Sequence, residues 1–160
     1  MNDIMYLILE NGTVFEGKSF GADKEVVGEV VFTTAMTGYI ETLTDPSYFG
    51  QIVVQTFPLI GNYGIISADF ESKKPCLKAY IVREWCREPS NFRCEGNLGI
   101  FLKENGIPGI YGIDTRRLTK IVREAGVMNG MIAKKIPEDF EVIKKYSVTD
   151  AVKSVTADKT

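Results

Sequence analysis

The first eighty residues are dominated by short runs of β-branched and aromatic side chains broken by turn residues, and this pattern limits the chain to folds built around a sheet. Residues 5–9 and 13–15 flank Asn11-Gly12, where two residues tolerant of positive φ predict a type I′ hairpin. Residues 29–34 (EVVFTT), 51–57 (QIVVQTF) and 79–82 read as further strands for the same reason. Between two of them, residues 37–50 (TGYIETLTDPSYFG) predict one short helical turn. Asp45-Pro46-Ser47 breaks it, because proline disfavours helix at the preceding residue.

After residue 97 the hydrophobic period changes. Residues 97–105 open on the capping residue Asn97 and stop at Gly106, which predicts a helix. Residues 107–113 read as a strand that admits Pro108 only near its start or at an edge. The clearest helix follows at DTRRLTKIVREAG, capped by Asp114 or Thr115 and ended by Gly126. Its apolar stripe is Leu118, Ile121, Val122 and Ala125. Residues 127–133 return as a strand, and Pro137 opens a charged helix-like stretch to about Tyr146. Strands first, then helices interleaved with strands, imply an α/β fold, a mixed sheet covered by helices. Residues 1–135 form one domain, and 136–160 read as a polar connecting segment.

Composition then excludes whole classes of function. The net charge is −2 with no basic block, which offers neither nucleic acid nor an acidic membrane an electrostatic partner. No apolar run reaches transmembrane length, and the opening residues are too short and too acidic for a secretion signal. The three cysteines lack close spacing and read as free thiols, so a cytoplasmic location is expected. The chain has no histidine, so it cannot assemble a Ser-His-Asp or Cys-His catalytic group by itself. Cys76, Cys86 and Cys94 lack the short pairing favoured by zinc, and no metal site is expected.

One motif misleads. Gly12-Thr-Val-Phe-Glu-Gly17-Lys18-Ser19 spells a phosphate-binding P-loop, but that loop must leave its amides free and lead into a helix. Here residues 13–15 read as a hairpin strand, and nothing after Ser19 starts a helix. Lone Trp85 reads as a half-buried aromatic near a strand end, and Arg116-Arg117 as surface charges or a partner contact.

Several stretches taken in order resemble the small subunit of glutamine-dependent carbamoyl-phosphate synthetase. They are VGEVVFTT (27–34), MTGY (36–39), ETLTDPSY (41–48), PLIGNYG (58–64), SNFR (90–93), GIDTRRLT (112–119) and REAGVMNG (123–130). The resemblance runs from about residue 7 to 133, and DAVKSVT (150–156) is similar to the stretch preceding that family's glutaminase domain. It implies the amino-terminal, swivelling β/β/α domain of the small subunit, inactive alone but part of a glutamine-hydrolysing ligase. The implied partners are the large subunit, in a heterodimer, and the chain's own glutaminase domain. ATP and magnesium would bind the large subunit, with no cofactor in this chain. The product, carbamoyl phosphate, would feed arginine or pyrimidine biosynthesis. The resemblance assigns one substrate contact, with glutamine, to Ser47 in the Asp-Pro-Ser-Tyr turn. The family's nucleophilic cysteine elbow, histidine and glutamate have no counterpart here. A stand-alone small-molecule binding or adaptor module on the same fold is the alternative.

Overall fold

Side chains along the first strand divide between two apolar environments. In the computed structural model, which describes residues 3–34, 39–56, 59–60, 75–85 and 97–146, β1 (Ile4–Leu9) turns Met5, Leu7 and Leu9 to one buried cluster. Tyr6 and Ile8 face another. A strand alternates its side chains, so two apolar sets mean that both faces are covered.

Beyond β1 the chain runs through β2 (Val14–Gly21), β3 (Val26–Thr33), α1 (Tyr39–Thr44), a 3-10 turn (Pro46–Tyr48), β4 (Gln51–Gln55) and β5 (Leu59–Ile60). Then come β6 (Ala79–Ile81), β7 (Glu84–Trp85), α2 (Leu98–Glu104), β8 (Pro108–Tyr111), α3 (Thr115–Ala125), β9 (Asn129–Ala133) and α4 (Glu141–Lys144). Seven strands close into a barrel in the order β1-β2-β8-β6-β4-β3-β9, with β9 pairing back onto β1. The β3-β4-β6-β8 arc is parallel and the remaining pairs are antiparallel. β5 and β7 form a small separate parallel pair.

The inner faces of these strands make the main core, including Leu7, Phe15, Val30, Ile52, Ile81 and Ile132, joined by Leu118 and Val122 of α3. Outside the barrel, Leu43 of α1 and Leu98 and Leu102 of α2 cover Val53, Tyr80 and Val82. That cover explains why Ile52-Val53-Val54 and residues 79–82 are wholly buried, as parallel strands with both faces covered must be.

Two glycines let the strands close. A Cβ at Gly17 would stand 2.5 Å from Ile110 Cγ2 and 2.6 Å from the Tyr111 carbonyl oxygen. A Cβ at Gly130 would stand 2.7 Å from Val30 Cγ2. Any side chain at either position would hold neighbouring strands apart.

The structure bears out the mixed sheet with helices and corrects several details. The β1–β2 hairpin is not type I′. Gly12 alone takes positive φ (90°), its N–H donates to the Leu9 carbonyl, and Thr13 N–H donates to Asn11 Oδ1. A single left-handed glycine after the turn replaces the left-handed pair, and the Asn11 side chain caps the loop instead. β2 runs well past residue 15 because it pairs with β1 on one side and β8 on the other. Ala125 is exposed, and the buried side of α3 is Thr115, Leu118, Thr119 and Val122. The other three residues of the expected stripe do face the core, since Leu118 and Val122 lie in it and partly buried Ile121 packs against it. Of residues 137–146, only the four residues of α4 are helical. Ile143 alone among them is buried, and one anchoring side chain supports little more than one turn.

Candidate functional site

Ser47 lies on the link between α1 and β4, and the local chemistry explains its pose. Asp45 is extended (φ −75°, ψ 118°), as a residue before proline prefers. Its carboxylate accepts a hydrogen bond from Ser47 N–H at 2.9 Å. Tyr48 N–H donates to the Asp45 carbonyl at 3.2 Å and Phe49 N–H to the Pro46 carbonyl at 3.1 Å. Gly50, at φ +75°, turns the chain into β4.

Tertiary contacts hold this turn from both ends. Upstream, Leu43 and Thr44 are fully buried and Thr42 nearly so. Downstream, Tyr48 packs on the cluster containing Phe20, Val53 and Tyr80. Ser47 itself is exposed, and its hydroxyl makes no hydrogen bond among the described residues. The arrangement presents one hydroxyl to a ligand or neighbouring domain from a rigid scaffold, the usual setting for a binding group on a loop. Glu41, partly buried on α1, keeps one carboxylate oxygen out of solvent with no hydrogen-bond partner among the described residues.

A tie from far along the chain reaches the same turn. The Tyr146 hydroxyl donates to the Gly50 carbonyl at 2.7 Å. Burial of the phenol, with a smaller contribution from the Glu29 carboxylate, raises its pKa above the ordinary tyrosine value. Buried Asn129 fixes the approach to Tyr146, its Nδ2 donating to the carbonyls of Ile143 and Tyr146 at 3.0 Å each. Neither residue stood out in the sequence. The one signal was a lone amide at the start of an apolar strand.

The other motifs take structural places. The P-loop spelling is a turn and a strand: Lys18 pairs with Ile4 in β1 and with Tyr111 in β8. Trp85 is half-buried and stacks on Phe20, with ring centroids 4.9 Å apart. The Arg117 guanidinium lies 5.0 Å from the centre of the Phe15 ring, while Arg116 is exposed. Cys76 is partly buried, and Cys86 and Cys94 lie outside the described residues. Among the described residues, no three Cys, Asp or Glu side chains are grouped to hold a metal ion, and no helix is long and apolar enough to cross a membrane.

Residues 7–132 match the family model described as carbamoyl-phosphate synthase small chain, CPSase domain. This chain belongs to the carbamoyl-phosphate synthase small chain family. The carbamoyl phosphate synthase small chain of Clostridium perfringens (strain 13 / Type A) is 54% identical over 156 residues, covering 96% of this chain and 45% of that protein. The one from Fusobacterium nucleatum subsp. nucleatum is 64% identical over 126 residues, covering 79% and 35%. The pyrimidine-specific small chain of Bacillus subtilis (strain 168) is 54% identical over 145 residues, covering 90% and 40%. The chain thus spans less than half the length of these small chains. An aminopeptidase from Aneurinibacillus sp. strain AM-1 overlaps with a TM-score of 0.49 at 19% identity, over 81% of this chain and 30% of that one, which is too loose to bear on function.

Proposed function

We propose that the chain is the non-catalytic, swivelling β/β/α domain of a glutamine-hydrolysing carbamoyl-phosphate synthetase small chain. It positions a glutaminase domain, docks on the large chain and lends Ser47 to the glutamine site, with residues 136–160 leading toward the glutaminase domain. The observation that supports this reading is the exposed Ser47 hydroxyl on a turn pinned at both ends, inside the segment that matches the family.

The chemistry lies elsewhere in the assembly. Without a histidine, this chain has no neutral-pH base to activate a thiol. Glutamine hydrolysis therefore belongs to the glutaminase domain. Joining the ammonia to bicarbonate at the expense of ATP, with magnesium, belongs to the large chain. The Ser47 hydroxyl would meet the charged α-amino or α-carboxylate end of glutamine.

The test is Ser47→Ala in the complete small chain paired with its large chain. A hydrogen bond to a charged group is worth about 1.5–3 kcal/mol, so KM for glutamine should rise about ten- to a hundredfold. The contact is remote from the attacked amide and binds ground and transition states alike, so kcat should change little. Activity with free ammonia should persist. Equal loss with both nitrogen donors would make the turn structural, and an unchanged KM for glutamine would remove the side chain from the site.

A further inference from the structure

The segment after β9 turns back to the link that carries Ser47 and is fastened there. Ile143, fully buried against Ile8 and Ala133, anchors it to the outside of the barrel. Asn129 holds its two carbonyls, and Asn129 is itself fixed. Its N–H donates to Glu10 Oε1 at 2.8 Å, and its carbonyl accepts from Glu10 N–H at 3.0 Å. Tyr146 is therefore delivered to its place by a run of hydrogen bonds that starts at the β1–β2 turn.

What Tyr146 grips is the joint of the Ser47 link. Gly50 is buried at positive φ, one residue ahead of the β3–β4 pairing, which begins at Gln51 opposite Glu29. The barrel makes room for the Gly50 carbonyl: a Cβ on Gly28 would stand 3.0 Å from its oxygen. The carbonyl thus sits in a confined position, with the Tyr146 hydroxyl as its donor, three residues after Ser47.

We infer that Tyr146 is a positioning residue for glutamine binding, acting through the Gly50 carbonyl on the turn that carries Ser47. This rests on the reading of Ser47 as a glutamine contact. Removing the hydroxyl leaves a buried carbonyl without its donor, a state that the chain relieves by letting the joint turn. The serine then spends less time in its binding pose, and the apparent affinity for glutamine falls by the lost fraction.

Tyr146→Phe keeps the ring and its packing and removes only the bond. In the complete small chain paired with its large chain, KM for glutamine should rise about three- to tenfold, the worth of one neutral hydrogen bond. The kcat with glutamine and the ammonia-dependent rate should stay near wild type. In the 160-residue chain itself, amide hydrogen exchange should accelerate at residues 47–50 and stay unchanged in β1 and β9. Ser47→Ala is assayed alongside. If it raises KM while Tyr146→Phe leaves both KM and exchange unchanged, the inference falls and the proposed function stands. If Ser47→Ala leaves KM unchanged, the inference falls with that function, since a tethered turn that does not bind glutamine positions nothing. Equal loss of glutamine- and ammonia-dependent activity in Tyr146→Phe also overturns it, by showing a general structural role.

Discussion

Replacing Asn129 should unfasten the segment that follows β9. The side chain is only 8% exposed, and its amide donates to two carbonyls at 3.0 Å, one of them on fully buried Ile143. Asn129→Ala removes both donors. Two hydrogen bonds at about 1 kcal/mol each, plus a buried carbonyl left unpaired, put the cost at about 2–4 kcal/mol. That is a large share of the 5–15 kcal/mol a domain of this kind holds in reserve, so the urea midpoint should fall clearly. Asn129→Asp separates hydrogen bonding from packing. The new carboxylate is nearly isosteric but meets two carbonyl oxygens with no proton to offer, so at pH 7 it should be worse than alanine. Only its protonated form can donate, so its folded-state pKa lies above the ordinary aspartate value of about 3.9. The penalty relative to wild type should thus be smallest below about pH 4, where the acid's single O–H can restore one of the two bonds, and grow as pH rises through the folded pKa. An Asn129→Ala cost below about 1 kcal/mol, or an aspartate tolerated as well as alanine at pH 7, would refute the amide's role.

Gly17→Ala should destabilise the barrel by at least about 1–3 kcal/mol in thermal unfolding, because its Cβ would meet the Tyr111 backbone at 2.6 Å as well as Ile110. Gly112→Ala has open space but φ +84°, so only the left-handed penalty of about 1–2 kcal/mol should appear. Tyr80→Phe removes the buried bond to Gln55 Oε1 (2.9 Å) and should cost about 1–3 kcal/mol in urea unfolding. For Tyr146, the raised pKa means that its contribution is complete below the ordinary tyrosine value of 10.0 and is lost as pH rises through the folded pKa. The difference between the ultraviolet titrations of wild type and Tyr146→Phe should show that late-ionising phenol.

The parts of this fold legible in the sequence are those whose causes lie within a few residues. Asn97 and Asp114 cap α2 and α3 by accepting hydrogen bonds from Ile100 and Arg117 N–H, and Gly106 and Gly126 end them at positive φ. Runs such as Ile52-Val53-Val54 announce strands because β-branched side chains suit a pleated surface. Asp45-Pro46-Ser47 announces its own turn because the aspartate caps the amide two residues on. Ser47 became a candidate through resemblance to a family, since spacing alone marks only a turn there. Contacts between distant residues decided the rest. Closure of the sheet depends on β9 meeting β1, and the length of β2 on β8. That Thr115 and Thr119 of α3 are buried while Ala125 is exposed depends on how the helix meets the strands beneath it. Asn129 and Tyr146 act on partners as far as 119 and 96 residues away, Glu10 and Gly50. A local pattern records what a residue prefers, whereas these bonds exist only once the closed barrel has brought the two ends of each into range.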